Sequence, residues 1–160
     1  MLKLNLGCGE DIREGYCNID IRDLPNVDIV CDVSQLPFEP GTVDEILASD
    51  IYEHISHRDS LDLLKHWSDL LKEDGVLIIR APCLDVILQY LLNASNLDQI
   101  QTGIEALYGG QEYAENTHRN ICQTNLTALH LESVGMKNIA YKIESTNILF
   151  KSIKIGGNKL

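Results

Sequence analysis

Leu2-Lys3-Leu4-Asn5-Leu6-Gly7-Cys8-Gly9 is the stretch that decides the fold. An apolar strand alternating around Lys3 and Asn5 runs straight into Gly-x-Gly. Neither glycine has a side chain to keep a ligand off the backbone, and both tolerate unusual dihedrals, which is the signature of a nucleotide or cofactor cradle. The same turn also serves any sharp chain reversal, so its meaning depends on the strands after it. Asn18-Ile19-Asp20-Ile21 places an acid at the end of a second predicted strand, Cys17–Ile21. In doubly wound sheets that position meets a ribose. A third strand, Val27–Cys31, comes after the turn signal Pro25-Asn26 and ends in Asp32-Val33-Ser34. Gly7-Cys8-Gly9, Asp20 and Asp32 then lie at the C-terminal ends of successive strands, where open parallel sheets bind ligands. One carboxylate suits ribose hydroxyls and the other an exocyclic amine, so the spacing suits a nucleoside. A dinucleotide fits less well, because the last glycine of Gly-x-Gly-x-x-Gly is Ile12 here.

Only seven residues, Glu10 to Tyr16, separate Gly9 from the second strand. A crossover between parallel strands ordinarily needs a dozen or so. Either the first crossover is an abbreviated turn or the second strand lies elsewhere. Beyond Asp32, the segment Gln35–Val43 carries Leu36-Pro37-Phe38 and Pro40-Gly41 and reads as a loop with apolar anchors. A fourth strand is predicted over Asp44–Ser49, then a loop or single helical turn over Asp50–His57. From Arg58 to Leu71, the residues Leu61, Leu64, Trp67 and Leu71 recur at helical spacing, widened by Leu63 and Leu70, with Gly75 as the expected cap. Val76–Ile79 is a fully apolar fifth strand ended by Pro82. Helices are predicted over Leu84–Asn93, Leu97–Leu107 and Asn125–Val134, the last with Thr124 as N-cap and Gly135 past its end. Two closing strands, Lys137–Lys142 and Asn147–Lys154, are too close for a parallel crossover and must pair as a hairpin. Strands alternating with helices through the first half imply a mostly parallel sheet covered on both faces.

The chain has 160 residues, enough for one domain with a proper core and little more, predicted over residues 1–155 with a flexible tail over 156–160. No run reaches the length of a membrane-spanning helix and no leader precedes the first strand, so a cytoplasmic location is expected. The net charge of -11 repels a phosphate backbone and argues against a nucleic-acid partner; a cationic ligand is at ease in such a field. Five scattered cysteines without a Cys-x-x-Cys pair argue against a disulfide framework and a zinc site. No metal is expected.

Taken together, Leu4-Asn5-Leu6-Gly7-Cys8-Gly9, Asn18-Ile19-Asp20, Cys31-Asp32-Val33 with Leu36-Pro37-Phe38, Val43-Asp44-Glu45-Ile46, Glu53-His54-Ile55 and Leu70-Leu71-Lys72-Glu73-Asp74-Gly75-Val76-Leu77 before Pro82 resemble the class I S-adenosylmethionine-dependent methyltransferases. The resemblance is to the compact methyltransferase-domain group, whose first strand reads Leu-Asp-Leu-Gly-Cys-Gly. It covers about the first half of the chain, in family order. It implies a Rossmann-like, three-layer α/β/α fold with a mostly parallel seven-stranded sheet, a C-terminal antiparallel hairpin and, here, an abbreviated first crossover.

The resemblance further implies that Leu6, Gly7, Cys8 and Gly9 pass under the methionine part of S-adenosylmethionine. Asp20 with Ile21 would hold the ribose, Asp32 with the amide of Val33 the adenine, and Ser49 would lie near the methionine end. Asn5 departs from the usual acid and brings no charge. His54 and His118 are the candidate proton acceptors; the alternative for His54 is a hydrogen bond that fixes the start of a helix. Tyr108, Gln111 and Arg119 fall where such enzymes shape the acceptor pocket. A small-molecule or sugar acceptor, methylated at oxygen, is expected. Two other readings stay open: a methyltransferase-like partner subunit without activity of its own, fed by Asn5 and the short crossover, and a nicotinamide-dependent oxidoreductase, disfavoured by Ile12.

Overall fold

The computed structural model describes residues 1–155; the predicted tail, 156–160, lies outside the described residues. Seven strands form one sheet: β1 Lys3–Leu6, β2 Cys17–Asp20, β3 Ile29–Val30, β4 Val43–Ser49, β5 Leu71–Pro82, β6 Met136–Glu144 and β7 Asn147–Lys154. Their spatial order is β3-β2-β1-β4-β5-β7-β6. The first five pair in parallel, and β7 runs antiparallel to both β5 and β6. This is the mostly parallel α/β sheet with an antiparallel C-terminal hairpin that the sequence implies.

Register explains the core. Leu4, Ile46 and Leu77 are cross-strand partners, as are Leu6, Ala48, Ile79 and Phe150, so all share one face and all are buried. Helix α1, Ser60–Leu70, lays Leu63, Leu64, Trp67 and Leu70 into the same cluster. Trp67 also donates its indole N–H to the Val33 carbonyl at 2.9 Å, which pins the loop after β3 to the helix. Each such side chain contributes about 1.5–3 kcal/mol by leaving water. Helices α2, Leu84–Leu92, and α3, Leu97–Tyr108, pack on each other, while α4, Thr124–Ser133, packs on β6 and α1. On the opposite face of the sheet Lys3, Glu45, Val76, Ile78 and Leu149 are only half-buried.

Three local expectations are corrected. No helix stands between β1, β2, β3 and β4, so strands and helices do not alternate in the first half. Gly75 does not cap α1: the helix stops at Leu70 because Leu71 turns extended at once and opens β5, and the left-handed residue is Asp74, with φ 63°. Thr124 is the first residue of α4 rather than its N-cap. Gln123 takes that place and accepts from the Leu126 N–H at 2.8 Å, because Thr124 is drawn to Asp85 through its own N–H (3.0 Å) and hydroxyl (2.6 Å).

Two asparagines replace the missing first helix. Asn5, 2% exposed, donates its amide to the Asp11 carbonyl at 2.8 Å and to Asn18 Oδ1 at 3.0 Å. Asn18 Oδ1 also accepts from the Arg13 N–H at 2.9 Å. Residues 11–16 are thereby stitched flat onto β1 and β2, and the Tyr16 hydroxyl donates to Glu45 on β4. The abbreviated crossover is real, and the strand placement that made it short is correct.

Candidate functional site

At the C-terminal edge of the parallel strands lies a cavity of about 370 Å³. Gly7, Asp20, Ile21, Asp32 and Val33 form its floor; Asp50, Ile51, His54 and Ile55 form one side. Tyr113, Glu115, Thr117 and Arg119, from the segment between α3 and α4, close the other. The volume falls in the range that holds a drug-sized ligand.

The floor is built by β1 ending in two left-handed glycines, with φ 61° at Gly7 and 50° at Gly9. A side chain on Gly7 would stand 2.6 Å from the Ile51 side chain, so that position needs glycine on two grounds. Asp20, at the end of β2 and 4% exposed, accepts from the Gly9 N–H at 2.8 Å through one oxygen. Its other oxygen accepts from the Arg22 N–H at 2.9 Å and from Arg22 Nε at 3.1 Å. Burial alone would raise the Asp20 carboxyl, but the Arg22 side chain and these two amides hold it below the usual carboxylate range. It is an anion that fixes the glycine turn and, with three donors already on its oxygens, retains one free lone-pair site. Asp32 is exposed and holds Ser34 by its N–H (2.8 Å) and hydroxyl (2.7 Å).

Of the residues drawn from the sequence, Leu6 is core, Cys8 is packed behind the turn at 5% exposure, and Gly9 faces Arg22. The Cys8 thiol is pushed up to about 11 by burial and by the charge of Asp20, so it is no thiolate near neutrality. Ser49 bonds its neighbour Asp50 and does not line the cavity. Tyr108 and Gln111 lie outside it as well; the Tyr108 carbonyl instead accepts from the His118 N–H at 3.0 Å. Arg22, Asp50, Ile51, Ile55, Tyr113, Glu115 and Thr117 were missed. Arg22 had a local signal, two residues past the strand-end acid, and Asp50, Ile51 and Ile55 lie on the stretch just after β4 that also carries His54; Tyr113, Glu115 and Thr117 depend only on where the fold brings the segment 113–119.

That segment is tied to the 3-10 turn Tyr52–His54, where the Glu53 carbonyl accepts from the N–H groups of Arg119 (2.8 Å) and Asn120 (3.0 Å). His54 lines the cavity, and His118 stands behind it, edge to face with ring centroids 5.0 Å apart. His54 Nδ1 lies 3.3 Å from the Thr117 carbonyl and His118 Nδ1 lies 3.1 Å from that of Ala106. Since carbonyls only accept, each Nδ1 carries the proton and each Nε2 keeps a lone pair. Burial lowers both imidazoles from the ordinary histidine value, and for His118 the His54 charge adds to it. Both are therefore neutral near pH 7. Glu53 beside them is 2% exposed, and burial, followed by the charge of Asp50, pushes its carboxyl up to about 8.

The fold has counterparts among known proteins. Residues 8–79 match the family model described as a methyltransferase domain. No curated protein matches the chain. Among solved structures, a SAM-dependent methyltransferase from Archaeoglobus fulgidus is 12% identical, covering 96% of this chain and 86% of its own, with a TM-score of 0.66. The PH0226 protein from Pyrococcus horikoshii OT3 is 20% identical over 96% and 81%, with a TM-score of 0.67. The 1,6-didemethyltoxoflavin-N1-methyltransferase from Burkholderia thailandensis, solved with 1,6-didemethyltoxoflavin and S-adenosylhomocysteine, is 11% identical over 97% and 71%, with a TM-score of 0.62. At these identities the likeness to solved structures is one of fold.

Proposed function

We propose that the chain, whose residues 8–79 match the methyltransferase-domain model and whose fold is that of a SAM-dependent methyltransferase, is a class I S-adenosylmethionine-dependent methyltransferase that binds S-adenosylmethionine in the cavity above Gly7 and methylates a small-molecule or carbohydrate acceptor at oxygen. The observation that carries this is Asp20: a carboxylate kept ionised, hydrogen-bonded beneath the Gly7–Gly9 turn, with Asp32 one strand further along the same edge. These groups fit the cofactor's chemistry, offering carboxylates to hydroxyls and an amine, apolar Ile21, Val33 and Ile55 to the base, and an anionic field to a sulfonium.

Asp20 takes one ribose hydroxyl on its remaining lone-pair site and a second in place of an Arg22 hydrogen bond, Asp32 and the Val33 amide take the adenine edge, and Gly7 lets the amino-acid part approach the backbone. The bound cofactor supplies an electrophilic methyl group on sulfur, and these residues fix it for in-line attack. His54 is the one imidazole on the cavity wall, neutral and with Nε2 unprotonated, so the acceptor's proton is handled on that side. Arg119 and Tyr113 line the part of the cavity left for the acceptor. The whole unit lies in residues 1–155.

Titration calorimetry with S-adenosylhomocysteine tests the reading. Binding is expected in the wild type and a loss of at least tenfold in Asp20→Ala; a folded Asp20→Ala that binds equally well sinks it. A second reading, a methyltransferase-like subunit that serves a partner, draws on the grip of Arg22 on Asp20, which cofactor must share or displace. Binding without transfer to a panel of sugars and small hydroxylated acceptors favours that one.

A further inference from the structure

We propose that Glu53, His54 and His118 form a site for one first-row divalent transition metal ion at the acceptor side of the cavity. Each of the three offers one ligand atom, and these atoms lie within 4.8 Å of one another. Glu53 is almost wholly buried, and its Oε2 has no hydrogen-bond partner. A buried carboxylate oxygen without a donor is costly unless a cation or a proton satisfies it. The cation whose charge bears on Glu53, Arg80, pairs with Asp50, and Arg119 meets Glu53 through its backbone N–H.

The two imidazoles complete the set, each with its Nδ1 against a backbone carbonyl, of Thr117 for His54 and of Ala106 for His118. Such an outer hydrogen bond fixes the tautomer and leaves Nε2 as the donor to a metal. Three lone-pair donors thus share a half-buried corner, with Asp50 adding negative charge to all three. Donors around one ion at bonds of about 2.1 Å stand roughly 3–3.5 Å apart, so the side chains close by about an ångström on binding.

Two nitrogens and one carboxylate select Zn²⁺, Fe²⁺, Co²⁺ or Ni²⁺ over Mg²⁺ or Ca²⁺, which favour oxygen sets. Three protein ligands leave coordination positions open, and His54 borders the cavity, so an ion held here is within reach of an acceptor oxygen. That last role rests on the proposed methyl transfer, and a bound ion then takes the place of the His54 lone pair in handling the acceptor's proton; the metal site itself does not rest on that transfer.

The full chain, stripped with a chelator, is titrated with Co²⁺ and then Zn²⁺. The expected result is one Co²⁺ per chain, with a visible d–d spectrum of nitrogen and oxygen ligation, no thiolate charge-transfer band, and displacement by Zn²⁺. Glu53→Gln and His118→Ala each weaken binding at least tenfold, and the exposed His57→Ala leaves it unchanged. The proposal is overturned by the absence of a stoichiometric Co²⁺ spectrum in the wild type, by a thiolate band that assigns the ion to cysteine, or by unchanged binding in variants that keep the wild-type circular dichroism. S-adenosylhomocysteine titrated in parallel separates the two readings: binding of metal alone removes only the methyltransferase assignment, and binding of the nucleoside alone removes only the metal site.

Discussion

Replacing Asn5 by the acid found at this place in the methyltransferases the first strand resembles, Asn5→Asp, should destabilise this chain. The asparagine acts here as a donor to two acceptors, the Asp11 carbonyl at 2.8 Å and Asn18 Oδ1 at 3.0 Å. Its orientation is forced, because a carbonyl accepts only and because Asn18 Oδ1 already takes the Arg13 N–H. Aspartate keeps the shape and reverses the chemistry. Two net hydrogen bonds of about 1 kcal/mol each are lost, and a carboxylate at a 2% exposed position then faces two oxygens, adding about 1–3 kcal/mol. The total is about 3–5 kcal/mol, or a fall in Tm of roughly 10 °C for a chain of this size.

The loss depends on pH with a definite sign. Burial raises the new carboxyl's folded pKa above its unfolded value of about 3.9. The unfolded chain then sheds its proton first as pH rises, so the penalty grows from that value up to the folded pKa and levels off beyond it. Below pH 4 the protonated acid can still donate one of the two bonds. Thermal melts followed by circular dichroism at pH 4.5 and 7.5 should show the gap to wild type widening at the higher pH. An Asn5→Asp protein as stable as wild type, or a gap independent of pH, would refute the donor role assigned to Asn5.

Two further substitutions probe the floor of the cavity and the tie between helices. Gly7→Ala forces a side chain into a left-handed residue and onto Ile51 at 2.6 Å; it should cost about 2 kcal/mol or more and weaken S-adenosylhomocysteine binding, as read by calorimetry on the folded variant. Asp85→Ala frees Gln123 and the start of α4, which Asp85 holds through Gln123 Nε2 (3.0 Å), the Thr124 N–H and its hydroxyl, at a cost of about 1–2 kcal/mol at neutral pH. The side chain of Gln123 and the hydroxyl and N–H of Thr124 hold that carboxyl below its ordinary value. Its contribution is therefore present above the unfolded pKa and disappears as pH falls through the folded one. Wild type and Asp85→Ala should converge in Tm below pH 4, and parallel melting curves from pH 7 to pH 3 would count against it.

What the sequence made legible was local. Strand, glycine turn and strand-end acids are consecutive residues, and Gly7, Asp20, Ile21, Asp32 and Val33 do gather at one cavity. The short crossover was visible as a count of residues, but not what replaces the helix, because the Asn5–Asn18 contact joins two strands. On the far wall Arg119 was legible as a candidate and the rest was not. Tyr113, Glu115 and Thr117 have no periodicity of their own, and they reach the site through long-range ties such as those of Arg119 and Asn120 to the Glu53 carbonyl. Gly75 misled through a good local rule overridden by tertiary pairing: β5 begins at Leu71, so α1 has no room for a glycine cap.

The place of β7 inside the sheet sets an order of events during synthesis. The strand made last among the described elements is inserted between β5 and β6, so an emerging chain presents the edge of β5, with Val76, Leu77, Ile78 and Ile79, before its neighbour exists. About seventy residues separate the end of β5 from the end of β7, which at about 5–20 residues per second is roughly four to fifteen seconds. During that interval an apolar edge of unpaired N–H and C=O groups is open to other nascent chains. Yield in cells should therefore depend on translation speed and chaperone supply over residues 83–154 more than on the stability of the finished molecule.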